Sequence, residues 1–122
     1  MSLRILLVED NPQNRYLMTF LLEKHGYTVE VAEDGEQALA MLHESSPDLI
    51  LMDMQLPRVD GYEATRRIKA SDRLRSIPLV ALTAHSMKGD RTKAIEAGCD
   101  AYVTKPVDAD EIIAVIERLT NR

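Results

Sequence analysis

Ile5-Leu6-Leu7-Val8-Glu9-Asp10 and Leu49-Ile50-Leu51-Met52-Asp53 are two apolar, strand-forming runs that each stop on acid. Unbroken apolarity fits strands covered on both faces, as in a parallel sheet, and successive strands of such a sheet release their side chains at one edge. Glu9, Asp10 and Asp53 are therefore expected to share one small cavity at that edge. Crowding raises the energy of the ionised carboxylates unless a cation sits among them, and oxygen-only ligands suit a hard divalent ion such as Mg²⁺.

Outward from these runs, the apolar stretches Leu3 to Val8, Val29 to Ala32, Leu49 to Met52, Leu79 to Leu82 and Ala101 to Val103 alternate with segments of helical spacing. That is a βα unit repeated five times. Helix starts carry capping chemistry: Asn11 before Pro12, Asp34 with Gln37, Asp60 with Glu63, and Asp108 with Glu111. Gly26 and Gly98 stand where a left-handed C-terminal residue is wanted, and Pro47 closes the second helix. Val29 to Ala32 alternates through Glu30 and so fits an edge strand. Right-handed crossovers then favour a doubly wound α/β fold with strand order 2-1-3-4-5, whose winding reverses between the first and third strands. Those are the strands that end in acid, and ligands of open α/β sheets bind at such a switch point.

Length and composition bound the rest. The 122 residues make one domain, expected over 1–122, large enough for a core without staples. A single cysteine, Cys99, cannot close an internal disulfide and reads as a small buried hydrophobe. With no signal or transit segment, a reduced cytoplasmic protein is expected. No apolar run approaches the ~20 residues that span a bilayer, so no membrane role is expected. The net charge of −5 argues against direct nucleic-acid binding. Monomer is the default, and no linker, low-complexity tract or second domain is visible. His25, His43 and His85 lack ligand spacing, no Walker or G-x-G-x-x-G loop is present, and Arg66, Arg67, Arg73 and Arg75 read as a solvated basic face.

The fourth strand ends at Thr83-Ala84 and the fifth at Thr104-Lys105-Pro106, adding a hydroxyl and an ammonium at the same edge. With these, the chain resembles over nearly its whole length the receiver domain of two-component response regulators, the family that includes the chemotaxis response regulator. The likeness is carried by Leu7-Val8-Glu9-Asp10-Asn11, Met52-Asp53-Met54-Gln55-Leu56-Pro57, Asp60-Gly61, Ala81-Leu82-Thr83-Ala84, Ala97-Gly98-Cys99-Asp100-Ala101-Tyr102 and Lys105-Pro106. Each piece is weak alone, and their joint order and spacing are specific.

The resemblance implies a flavodoxin-like fold and a phosphorylation-dependent switch in a two-component system or phosphorelay. A sensor histidine kinase or a histidine phosphotransfer protein would supply the phosphoryl group, and Asp53 would accept it as an acyl phosphate, assisted by Mg²⁺ and Lys105. Asp10 would hold the metal directly and Glu9 through water, with an Asp53 oxygen and the backbone carbonyl of Gln55 completing the protein ligands. Thr83 would bond a phosphoryl oxygen while Tyr102 swings inward as the switch. The likeness also implies a cis Lys105-Pro106 bond and side chains at Gln55 and His85 that guide or block attacking water, while Gly89 and the mixed polarity of Ala84 to Asp90 suit a mobile loop leading into the fourth helix. Beyond magnesium-dependent self-phosphorylation and slow autodephosphorylation, no enzyme activity is expected. With the chain ending after its fifth helix, signalling to an unidentified downstream protein is expected through the face of the fourth helix, fifth strand and fifth helix, where Ile112, Ile113, Val115, Ile116 and Leu119 are mostly core.

Two other classes fit less well. A haloacid-dehalogenase-type phosphatase also uses a strand-end Asp, Thr, Lys and Mg²⁺, but needs a second Asp where this chain has Gln55, and a cap domain. An FMN carrier on the same sheet would want phosphate-cradling donors after the first strand, where Glu9-Asp10 would repel a phosphate.

Overall fold

The computed structural model describes residues 3–56, 60–84 and 88–120, with side chains in the last stretch described from residue 92 on. Strand and helix alternate without exception: β1 (Arg4–Val8), α1 (Pro12–Lys24), β2 (Thr28–Ala32), α2 (Gly35–Glu44), β3 (Leu49–Asp53), α3 (Gly61–Ala70), β4 (Leu79–Thr83), α4 (Lys88–Ala97), β5 (Ala101–Thr104) and α5 (Ala109–Thr120). All pairings are parallel and the strand order is β2-β1-β3-β4-β5, as the sequence predicts.

Alternation of side chains divides the core between the two faces of the sheet. Leu6, Val8, Ile50, Met52, Leu79 and Ala81 pack under α2, α3 and α4, where Leu42, Ile68 and Ala94 meet them. Ile5, Leu7, Leu49, Leu51, Val80, Leu82 and Val103 face α1 and α5, against Met18, Leu22, Ile112 and Ile116. This is why β1, β3 and β4 read as unbroken apolar runs. The half-covered pattern of β2 belongs to an edge, where Arg4 Nη2 pairs with Glu30 Oε1 at 3.2 Å across an exposed surface.

The helix ends follow their caps. Asn11, Asp34, Asp60 and Asp108 accept hydrogen bonds from the N–H of Asn14, Gln37, Glu63 and Glu111 at 2.7–3.0 Å. Gly26 and Gly98 take φ of +95° and +109°, a region that only glycine enters cheaply. The Lys105-Pro106 bond is cis. Two expectations are corrected. Cys99 is half-buried rather than core, lying at the margin of the α2–α4 face, where burial and then the Asp100 carboxylate push its thiol above the usual range. The stretch read as a loop to Asp90 is already helical from Lys88, while His85, Ser86 and Met87 lie outside the described residues, as does Pro57.

The basic residues around α3 are not a free patch. Arg66 and Arg67 both hold Glu63, Arg75 pairs with Asp72, and Arg73 reaches Ser46 Oγ and the carbonyl of Leu42. Lys69, which the sequence did not single out, donates to the carbonyls of Arg75 and Ile77 at 3.0 and 2.9 Å and to Asp100 Oδ2 at 2.8 Å. Asp100 also accepts from Leu79 N, so one ion pair pins the entries of β4 and β5.

On α3, Thr65 is fully buried and its Oγ1 has no hydrogen-bond partner among the described residues. A buried hydroxyl without a partner carries its desolvation cost uncompensated, and valine has the same branched shape. Thr65→Val is expected to stabilise the chain by about 1 kcal/mol, read as a higher urea midpoint at an unchanged slope.

Candidate functional site

Three hydrogen bonds extend the sheet ladder one residue beyond its strands. Glu9 N donates to Ala32 O at 3.0 Å, Met54 N to Leu82 O at 2.9 Å, and Lys105 N to Thr83 O at 2.7 Å. The positions that follow β1, β3 and β5 are therefore fixed by the sheet rather than by loops. Glu9, Asp53 and Thr83 are each 1 % exposed, which for the two carboxylates is unusual and a sign that they are paired.

The pairing partner is Lys105, whose Nζ lies 2.9 Å from Asp53 Oδ2 and 3.3 Å from Glu9 Oε1. One carboxylate oxygen each from Glu9, Asp10 and Asp53 fall within 4.8 Å of one another, and Asp10 faces solvent. Burial, and then the Asp53 carboxylate, raise the Glu9 pKa against the opposing pull of Lys105. Burial depresses Lys105, but the Asp53 and Glu9 carboxylates outweigh it and hold the ammonium above its ordinary value. One lysine thus balances three carboxylates, leaving an oxygen-only, net-negative set with one side open. That donor set fits a hard divalent cation.

Donors from the loops orient the acids. Gln55 N donates to Asp53 Oδ1 at 2.9 Å, and Asn11 N to Glu9 Oε2 at 3.2 Å. The Gln55 carboxamide spans to β4: Nε2 lies 3.4 Å from Thr83 Oγ1, and Oε1 accepts from Ala84 N at 3.1 Å. Tyr102 is half-buried against the α2–α4 face of the core, and its backbone pairs with Ala81 in the middle of β4.

Two contributions escaped the sequence reading. Arg15, an ordinary helix-surface arginine by sequence, donates Nη1 to the carbonyls of Glu9 and Asp10 at 3.2 and 3.1 Å, clamping the acidic turn from α1. Gly61, which follows the Asp60 cap, lies so close to β3 that an added Cβ would sit 2.3 Å from the Asp53 carbonyl oxygen and 2.6 Å from Met54 Cα. Helix α3 therefore starts against the backbone of the strand that carries Asp53. Its signal in the sequence is the Asp60-Gly61 pair itself, which identifies a glycine but not the surface it approaches.

Beside the acids, a cleft of about 420 Å³ is lined by Glu9, Lys105, Pro106 and Val107 on the sheet side and by Asn14, Leu17 and Met18 of α1. Tyr16, Leu17 and Phe20 expose 72 %, 62 % and 58 % of their surface along the same helix. Apolar groups of this size exposed together mark an interaction site more often than chance.

A family model described as the response regulator receiver domain matches residues 5–117. Among curated proteins, a polar-differentiation response regulator DivK from Brucella anthropi is 43 % identical over 113 residues, covering 93 % of this chain and 92 % of its own. Among solved structures, the receiver domain of sensor histidine kinase PA1611 from Pseudomonas aeruginosa, with a magnesium ion coordinated in its active-site cleft, aligns at a TM-score of 0.93 and 39 % identity over 100 % of both chains. The Saccharomyces cerevisiae receiver domain of Ssk1, crystallised with the histidine phosphotransfer protein Ypd1, aligns at a TM-score of 0.91 and 31 % identity, covering 98 % of this chain and 89 % of its own.

Proposed function

The chain belongs to the response regulator receiver family, and from that premise we propose that it is a receiver unit from end to end in which Asp53 accepts a phosphoryl group from a phosphohistidine. The observation that carries this is the buried Asp53 carboxylate held between the Gln55 N–H and the Lys105 ammonium at 2.9 Å each, with Glu9 and Asp10 beside it. An isolated strand-end aspartate needs no such surroundings.

An Asp53 oxygen attacks phosphorus, the P–N bond to the donor imidazole breaks, and the imidazole leaves with a proton from solvent. The product is an acyl phosphate on Asp53. Lys105 stays in contact with the reacting carboxylate and balances charge gathering on the phosphoryl oxygens. Asp10, Glu9, an Asp53 oxygen and the backbone carbonyl of Gln55 are the groups that would hold Mg²⁺. When bound there, the ion supplies further neutralisation of the phosphoryl oxygens. Thr83 donates its hydroxyl to one of those oxygens, and Tyr102 follows as the switch residue. Gln55 and His85 set how long the acyl phosphate survives. Apart from this self-phosphorylation and slow hydrolysis the chain turns over no substrate.

The phosphodonor, a sensor histidine kinase or a phosphotransfer protein, is proposed to dock on the exposed α1 face. Tyr16, Leu17 and Phe20 offer it apolar surface, and the cleft beside them is shared by Leu17, Glu9 and Lys105, the lysine that pairs with the acceptor. The altered surface on the α4, β5 and α5 side, where Ile95, Tyr102 and Arg118 line a smaller cleft, is proposed to reach a downstream protein. No helix among the described residues is long and apolar enough to cross a membrane, and a cytoplasmic setting is proposed.

Incubation with acetyl phosphate and Mg²⁺ tests the acceptor role. Intact mass is expected to rise by one phosphoryl group in the native chain and to stay unchanged in Asp53→Asn. Equal labelling of both chains would move the acceptor elsewhere.

A further inference from the structure

Resting on the acceptor role of Asp53, we propose that the Gln55 carboxamide is a resting-state competitor for the phosphoryl group, occupying the Ala84 N–H that the group would recruit. A phosphoryl group on the buried Asp53 brings three strong acceptor oxygens to this sheet edge. Besides the Gln55 N–H, protein donors at that sheet edge include the Lys105 ammonium, the Thr83 hydroxyl and the Ala84 N–H. Lys105 already faces Asp53 Oδ2. The other two lie against a single side chain: Gln55 Oε1 accepts from Ala84 N at 3.1 Å, and Nε2 lies 3.4 Å from Thr83 Oγ1. The bridge stands next to the acceptor, because the N–H of the same residue binds Asp53 Oδ1.

The carboxamide and the phosphoryl group therefore seek the same Ala84 N–H, and they cannot both have it. Gln55 is exposed as a residue, so its side chain can turn into solvent, where water satisfies the amide at little cost. Leaving costs the two bonds to β4. Apparent phosphoryl affinity is then lowered by the stability of that bridge, as for any ligand whose competent state is only a fraction of the resting population. Displacement also removes the side-chain link between Gln55 and the residues that end β4, so occupancy of Asp53 and that link become mutually exclusive.

Beryllofluoride, a phosphoryl mimic that bonds to a carboxylate, titrated in the presence of Mg²⁺ and followed by ¹⁹F NMR, tests this. Loss of a bridge worth one ordinary net hydrogen bond is expected to tighten the apparent Kd of Gln55→Ala about fivefold. Gln55→Glu is expected to weaken it, because a carboxylate holds the Ala84 N–H more firmly and repels the incoming anion. An affinity of Gln55→Ala equal to or below the native value would overturn the competition. So would a gain in Mg²⁺ affinity by the same factor without beryllofluoride, since the metal alone would then account for it. A native chain that binds no beryllofluoride, or binds it equally after Asp53→Asn, would instead remove the acceptor reading, an outcome distinct from the other two.

Discussion

Lys105→Met, without Mg²⁺, is expected to unfold about 2–3 kcal/mol more easily than the native chain. The ammonium stands 2.9 Å from Asp53 and 3.3 Å from Glu9, both nearly inaccessible, while the lysine itself retains about a fifth of its exposure. Removing one partner of a buried ion pair leaves the other charge uncompensated, at a cost of roughly 3–5 kcal/mol when burial is complete. Partial access of water to this lysine scales that figure down. The same substitution is expected to strengthen Mg²⁺ binding, because the carboxylates lose their resident cation, and to suppress phosphorylation by acetyl phosphate. Urea melts with and without Mg²⁺ separate the effects, and a variant that is equally destabilised in saturating Mg²⁺ would refute the electrostatic account. The pH dependence has a definite sign. The Glu9 pKa is raised in the folded state, so its contribution to stability is present below its unfolded value and lost as pH rises through the folded one. The penalty in Lys105→Met should accordingly shrink on acidification, as Glu9 takes up a proton and the like-charge pair is relieved.

Gly61→Ala is expected to lower stability by about 3 kcal/mol, at the upper end of what overpacking costs. The methyl group would overlap the carbonyl oxygen of Asp53 at 2.3 Å and Met54 Cα at 2.6 Å, and backbone cannot rotate aside as a side chain can. Either α3 lifts or β3 shifts. In both cases Asp53 moves against Glu9 and Lys105, and a misplacement of about 1 Å at a reacting group can cost on the order of 100-fold in rate. Urea melts give the first effect and acetyl phosphate labelling the second. A stability loss under 1 kcal/mol with normal labelling would show that the contact yields.

The fold was legible because its signals are local or strictly periodic. Unbroken apolar runs at Ile5–Val8 and Leu49–Met52 fit strands with both faces covered, and four of the five helices open on a residue whose side chain bonds a specific N–H. The acids were legible for the same reason: a strand end converts position in the chain into position in space. Arg15, Lys69 and the true reason for Gly61 were not. An arginine on a helix surface reads alike whether it points to water or to the Glu9 and Asp10 carbonyls, and a glycine beside a cap does not reveal which backbone passes 3 Å away. Such approaches join segments that only the finished packing brings together. The Gln55 bridge to Thr83 and Ala84 is of that kind too, whereas its backbone position two residues after Asp53 was visible in the motif.

Helix α4 is held differently from its neighbours. The other helices press leucine or isoleucine, or for α1 leucine and methionine, into the sheet, while α4 among its described side chains sinks only Ala94 and Ala97, leaves Ile95 outside, and leans on α3 through Lys93 above the Tyr62 ring at 4.9 Å. A methyl group interlocks with almost nothing, so the helix rests on the sheet as on a smooth bearing rather than a ratchet. Among the described side chains, α4 is therefore the helix with the least apolar interlock to the sheet, and the one whose displacement would disturb the core least.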